Sequence, residues 1–161
     1  PWLSYQNLND GISRSYAYPG KIIENFALGR ASTEGLIPKK TSCIDALKYF
    51  IPKISKKFDS LSVRVPTPVV SAAIINIETK NKMTNENFYK NINILIKQYN
   101  EKIIQLNDDQ IISKDVLANP YSAVLDKRWT QIKKNKSRIF LWYDNEFGYA
   151  SRVNDLIEYL I

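Results

Sequence analysis

The sequence predicts an α+β fold: a mixed, mainly antiparallel sheet with helices packed on one face. Three observations lead there. The apolar period switches along the chain between about 2 and about 3.6 residues, so strand-like and helix-like stretches coexist. Neighbouring strand-like stretches are joined by short links, such as Pro66-Thr67-Pro68 and Asn119-Pro120, which suit hairpins better than the long crossovers of a wound parallel sheet. No G-x-G-x-x-G turn occurs, so a nucleotide-binding Rossmann unit is not expected within this chain. The 161 residues are expected to form one domain, with 1–35 as a long loop region and 36–161 as the α+β core.

Residues 1–35 show no sustained period; Gly11, Pro19, Gly20, Gly29 and Gly35 punctuate them, with tyrosines between. A loop of that length is usually functional or disordered, and its aromatic content favours function. A helix is predicted after Lys40, capped by Thr41 or Ser42, with Asp45 in its first turn, an apolar stripe of Ile44, Leu47 and Tyr49-Phe50-Ile51, and Pro52 as its stop. Residues 61–66 and 69–79 are predicted as strands. In the second, Val69, Ser71, Ala73, Ile75 and Ile77 alternate with Val70, Ala72, Ile74, Asn76 and Glu78. Thr84 opens an amphipathic helix with Glu86 in the first turn and Phe88, Ile92, Leu95, Ile96, Tyr99 and Ile103 at helical spacing. Short strands are expected near 111–117 and 121–126. Lys133-Lys134-Asn135-Lys136 is a turn leading into a buried-type strand, Ile139 to Trp142. Phe147 to Leu160 reads as a helix with Val153, Leu156, Ile157 and Leu160 on one face.

Hydrophobic content of 44% and charged content of 24% suit a folded globular chain. No signal-peptide pattern follows Pro1, and no apolar run reaches the ~20 residues needed to cross a bilayer. A cytoplasmic location and no membrane partner are expected. The net charge of +7 is spread over scattered lysines, so no nucleic-acid partner is expected either. There is no histidine and one cysteine, which excludes an internal disulfide framework and any metal constellation. Cys43 lies in an apolar helix stripe with no histidine to activate it, and reads as a buried small hydrophobe.

Three groups could do chemistry. Arg64 stands between Val63 and Val65, so in a strand its side chain faces opposite to theirs. A guanidinium there suits phosphate, or a structural pair with a carboxylate. Thr41-Ser42 opens a helix and could hold an anion, or simply cap the helix. Asp144-Asn145-Glu146 joins a strand to a helix. Asn145 offers both an amide donor and a carbonyl acceptor to an amide-bearing ligand, and Tyr149 could lie against a flat ring; the alternative is a capping turn on Asp144 or Asn145.

Residues 29–161 resemble the catalytic domain of the glyceraldehyde-3-phosphate dehydrogenase family. Gly29-Arg30-Ala31-Ser32 followed by Leu36-Ile37-Pro38 resembles the family's G-R-A…N-I-I-P segment, and Thr41-Ser42 stands where it has Thr-Gly. Val63-Arg64-Val65-Pro66-Thr67-Pro68 followed by Val70-Ser71 is similar to its F-R-V-P-T-P-N-V-S strand. Ser113 and Asp115, then Ser122 and Asp126, fit its V-S-x-D…S-S-x-x-D strands. Trp142 to Gly148 repeats W-Y-D-N-E-[YF]-G, and Tyr149, Arg152, Val153 and Asp155-Leu156 continue it.

The resemblance implies the catalytic-domain portion of a phosphorylating, NAD- or NADP-dependent aldehyde dehydrogenase. Such an enzyme takes an aldehyde phosphate to an acyl phosphate through a thioester, with inorganic phosphate as second substrate. It implies Thr41, Ser42 and Arg64 as phosphate-site residues, Asn145 and Tyr149 beside the nicotinamide, and Arg30 in a loop at subunit contacts near the cofactor. The family's catalytic cysteine and histidine match nothing here, so no catalytic residue is assigned; both are expected upstream of Pro1. The implied partners are the protein's own N-terminal Rossmann domain and further copies in a homotetramer. Alternatives are a non-catalytic paralogue used for binding or assembly, and an erythrose-4-phosphate dehydrogenase.

Overall fold

The computed structural model describes residues 35–39, 41, 43–55, 57–67, 69–99 and 101–161. Ser42, Arg30 and nearly all of the expected 1–35 loop therefore lie outside the described residues. The described residues fall into two units, 35–67 and 69–161.

In the first unit, β1 (Ile37–Lys39) pairs antiparallel with β2 (Ser62–Arg64), in a register that sets Ile37 opposite Arg64 and Lys39 opposite Ser62. Between them lie α1 (Cys43–Phe50) and α2 (Pro52–Ser55). The Thr41 hydroxyl oxygen accepts from the Cys43 N–H at 3.3 Å, so the first helix is capped where the sequence placed it. Pro52 ends one helix and opens the next, because a first-turn position has no use for the N–H that proline lacks. Strand β1 was not expected. Pro38 argues against a central strand, but a two-stranded ribbon is all edge and tolerates it. The apolar stripe of α1 is largely uncovered, with Tyr49 and Phe50 both exposed.

The second unit holds β3 (Ser71–Glu78), α3 (Asn85–Gln98), β4 (Ile104–Asn107), β5 (Ala123–Asp126), β6 (Gln131–Lys133), β7 (Lys136–Tyr143) and α4 (Phe147–Leu160). The strand order is β3-β7-β5-β4, with β6 also on β7. Strand β7 is antiparallel to β3, β5 and β6, while β4 and β5 run parallel. This is the mixed, mainly antiparallel sheet of an α+β fold. The β3–β7 ladder is the longest, from Ser71 opposite Tyr143 to Glu78 opposite Lys136. Its alternation follows the sequence: Ser71, Ala73 and Ile75 are half-buried, and Ala72, Ile74 and Asn76 are exposed.

Three elements differ from expectation, β6 (Gln131–Lys133) among them, a strand that was not expected. Residues 111–117 form no strand; Ser113–Val116 is a 3-10 turn. The Asp115 carboxylate accepts from the Ile112 N–H at 2.8 Å, and the Asp115 N–H returns to the Ile112 carbonyl, a local bonding pattern that a strand cannot share. The missing strand is β4, just after α3. Ile103 just before it, and its own Ile104 and Leu106, continue the helical run, but the helix has already closed. The N–H groups of Tyr99 and Glu101 both turn back onto the Ile96 carbonyl, Glu101 at φ 58°. Thr84 caps α3 as expected, its hydroxyl accepting from the Asn87 N–H. Lys134, at φ 56°, makes the turn between β6 and β7.

The core of this unit is Val70, Val116 and Val124, with Val69, Ile111 and Trp142 packed on it. Val70 holds φ 67°, a strained value for a β-branched residue, and is 4% exposed. Helix α4 is polar on its inner side. Arg152 donates to the Lys102 carbonyl at 2.6 Å and to the Ser122 hydroxyl, and pairs with Asp155 at 2.7 Å; Lys102 pairs with Asp155 in turn. The apolar residues Tyr149, Val153, Leu156, Ile157 and Leu160 recur at helical spacing, and all are exposed. Gly148 lets the start of this helix approach the 119–122 loop. An added Cβ would lie 2.9 Å from the Tyr121 carbonyl oxygen, which is backbone and cannot swing aside. Alanine would gain about 1 kcal/mol in helix propensity but would overpack this contact. Gly148→Ala is therefore expected to lower stability by a net ~1–2 kcal/mol, read as a lower denaturation midpoint at unchanged m-value.

Candidate functional site

The first unit presents Arg64 at the end of β2. Val63 and Val65 are exposed and Arg64 is half-buried, the reverse of an ordinary amphipathic strand. Its Nη1 is buried and carries no hydrogen bond, and no carboxylate pairs with it among the described residues. Burial lowers the guanidinium pKa. Of the two alternatives left open by the sequence, a structural pair with a carboxylate is not found among the described residues. A cation left short of acceptors is suited to an anionic ligand with two oxygens to offer. Thr41 follows β1 by two residues and is half-buried. Its oxygen already accepts from Cys43 N–H, so it serves as a cap, and among the described residues no acceptor takes its hydroxyl proton. Cys43 is exposed rather than a buried small hydrophobe, with its Sγ 3.7 Å from the Ser60 hydroxyl. It begins a helix in which its neighbours' apolar stripe is itself largely uncovered. No histidine exists to ionise it.

The second unit presents the corner between β7 and α4. Asp144, 5% exposed, does the capping. Its Oδ1 accepts from the N–H groups of Glu146 (3.1 Å) and Phe147 (2.9 Å), and its Oδ2 from Ala118 (3.0 Å). Asn145 is thereby released from that duty. Its Nδ2 donates to the Ser71 hydroxyl oxygen at 3.2 Å, which ties the corner to the start of β3. Among the described residues nothing donates to Asn145 Oδ1, so this carboxamide has one end fixed and an acceptor to spare. Tyr149 is 73% exposed, one helical turn beyond. The structure thus places Asn145 and Tyr149 together on one corner of the second unit, and Thr41 and Arg64 in the first. An NAD-type nicotinamide carboxamide, with an N–H to donate, fits the acceptor that Asn145 leaves open.

Two features drew no functional assignment from the sequence. Asp126, at the end of β5, is completely buried and accepts from Arg128 through Nε (2.9 Å), Nη2 (2.6 Å) and backbone N–H (3.1 Å), and from Trp142 Nε1 (3.1 Å). Burial pushes its pKa up, but the hydrogen bonds from Arg128 and Trp142 outweigh that and hold it below the usual carboxylate value. Ser71 was visible as part of a Val-Ser pair, without a role. A cleft of about 540 Å³ lies beside Lys102, Tyr121, Phe147 and Arg152. Its cations, Lys102 and Arg152, are already paired with Asp155 and Glu158.

This architecture, a mixed and mainly antiparallel sheet with a few helices, is the α+β fold that the motifs suggested. A family model described as the C-terminal domain of glyceraldehyde 3-phosphate dehydrogenase matches residues 14–145. The chain is 36% identical over 137 residues to glyceraldehyde-3-phosphate dehydrogenase 1 of Trichoderma koningii, covering 82% of this chain and 40% of that protein. It is 33% identical over 132 residues to glyceraldehyde-3-phosphate dehydrogenase 2 of Bacillus subtilis, covering 81% and 39%. With glyceraldehyde-3-phosphate dehydrogenase of Mycobacterium avium it shares 28% over 152 residues, covering 94% and 42%. The chain belongs to the glyceraldehyde-3-phosphate dehydrogenase C-terminal domain family. It spans about two fifths of the length of these curated relatives.

Proposed function

We propose that this chain is the catalytic-domain portion of a phosphorylating glyceraldehyde-3-phosphate dehydrogenase, acting in the cytoplasm with NAD or NADP. The observation that carries this reading is the half-buried Arg64 guanidinium, whose buried Nη1 finds no acceptor among the described residues. In the proposed role it grips a phosphate, either that of the aldehyde substrate or the inorganic ion that cleaves the thioester. Thr41 donates its hydroxyl proton to the same anion, Ser42 adds its backbone N–H, and Arg30 lines subunit contacts near the cofactor. Asn145 accepts a hydrogen bond from the nicotinamide carboxamide, and Tyr149 stands beside the ring. The cofactor, when bound, supplies the hydride acceptor.

The attacking thiolate and the base come from outside these 161 residues, since the chain has no histidine and no activated thiol. The N-terminal Rossmann domain of the same polypeptide is the proposed partner of the apolar stripe on α4. The exposed face of the sheet, at Ala72 and Ile74, is a proposed subunit contact of a homotetramer. The test is direct. The full-length protein is expected to form NADH or NADPH from glyceraldehyde 3-phosphate only when inorganic phosphate is present. The isolated 161-residue chain is expected to form none, and reduced cofactor above blank from that chain would overturn the assignment of thiolate and base to the remainder.

A further inference from the structure

We propose that Ser71 is a positioning residue for Asn145: it holds the Nδ2 end of the carboxamide, leaving Oδ1 as the unspent acceptor, and so makes the corner select a ligand that presents an amide N–H. This rests on the reading of Asn145 as the nicotinamide-binding group. A primary carboxamide has a donor end and an acceptor end that exchange by rotation, and an unrestrained asparagine would greet a ligand donor or a ligand carbonyl alike. Here the Nδ2 donates to Ser71 Oγ at 3.2 Å across 74 residues of sequence. Asp144 has taken the helix-capping bonds, so they do not compete for Asn145.

The anchor itself is held firmly. Ser71 opens β3 opposite Tyr143, two residues before Asn145 on the other side of the corner. The residue before it, Val70, sits at φ 67° and is locked into the core with Val116 and Val124. A β-branched residue keeps such a backbone only where its surroundings enforce it, and such strain concentrates where geometry matters to function. The strained, packed Val70 sets where the strand begins and therefore where the Ser71 hydroxyl stands.

The experiment measures dissociation constants, by quenching of tryptophan fluorescence in the full-length protein, for NAD and for its 3-acetylpyridine analogue, in which a methyl replaces the amide nitrogen. The unaltered protein is expected to prefer NAD by roughly tenfold, the worth of one well-made hydrogen bond. Ser71→Ala is expected to reduce that preference to about two- to threefold, mainly by weakening NAD, because a freed carboxamide no longer favours one end. Ser71→Thr, which keeps the hydroxyl, is expected to retain the preference. Where Ser71→Ala does not fold, Ser71→Cys, close in size and a weak acceptor, takes its place. Asn145→Ala is the control and should abolish the preference. A preference that survives Asn145→Ala overturns the reading of Asn145 and the proposal with it. A preference lost in Asn145→Ala but intact in Ser71→Ala overturns the positioning role alone.

Discussion

Asp126→Asn is expected to cost about 3 kcal/mol of stability, the lower end of what breaking a buried ion pair removes. The lower end applies because Arg128 is 24% exposed and can recover some hydration, whereas Trp142 Nε1 and the Arg128 backbone N–H cannot move to new acceptors as readily. Asparagine keeps the volume, so the loss reports charge and hydrogen bonding rather than a cavity. The pH dependence gives an independent signature. The native carboxyl pKa is depressed below its unfolded value of about 3.9, so its contribution is fully present above that pH. It is lost as pH falls through the lower native value. Urea titrations between neutral pH and about pH 3 should therefore show the variant's stability falling less steeply with acid than that of the unaltered protein. Parallel acid limbs, or a stability loss well under 1 kcal/mol, would mean that the Arg128–Asp126–Trp142 cluster is not what ties β5 to β7.

That cluster also shows what the sequence could and could not reveal. The ends of α4, the Thr84 cap of α3 and the alternation of β3 were legible, because each depends on contacts within one element or one turn. Asp126 and Trp142 are 16 residues apart, and Asn145 and Ser71 are 74 apart. Neither pairing has a local signal, so Asp126 and Ser71 were visible only as letters in a motif. Strand β4 was hidden by continuity. Its apolar residues prolong the helical stripe of α3, and the closing turn rests on backbone hydrogen bonds that side-chain patterns do not encode. The strand expected at 111–117 failed for the opposite reason: a β-rich composition was overridden by one aspartate bonding to its own turn. Arg64 was expected to face away from its valines, and it does, but that no carboxylate among the described residues pairs with it became visible only in three dimensions. The outward apolar face of α4 has the same moral. Periodicity located the stripe, and nothing in it told which side met the sheet.

Arg64 offers a test in which function and stability are expected to move in opposite directions. In the full-length protein, Arg64→Ala should raise the Michaelis constant for phosphate by roughly 100-fold, since a bidentate charge-assisted contact is worth about 3 kcal/mol. Arg64→Lys restores the charge but not the planar fork, and should recover part of the loss, to within roughly tenfold of the unaltered protein. Stability should behave otherwise. A guanidinium whose pKa is lowered by burial is a charge the fold holds at a cost, and among the described residues its Nη1 has no acceptor to offset that. Removing it should leave the melting temperature unchanged or higher in phosphate-free buffer. Added phosphate should stabilise the unaltered protein through binding to the native state and leave Arg64→Ala unmoved. An ordinary structural arginine would give the reverse pattern, a lower melting temperature with an unchanged phosphate constant. That result would remove the phosphate site from β2 and with it the main support for the catalytic reading.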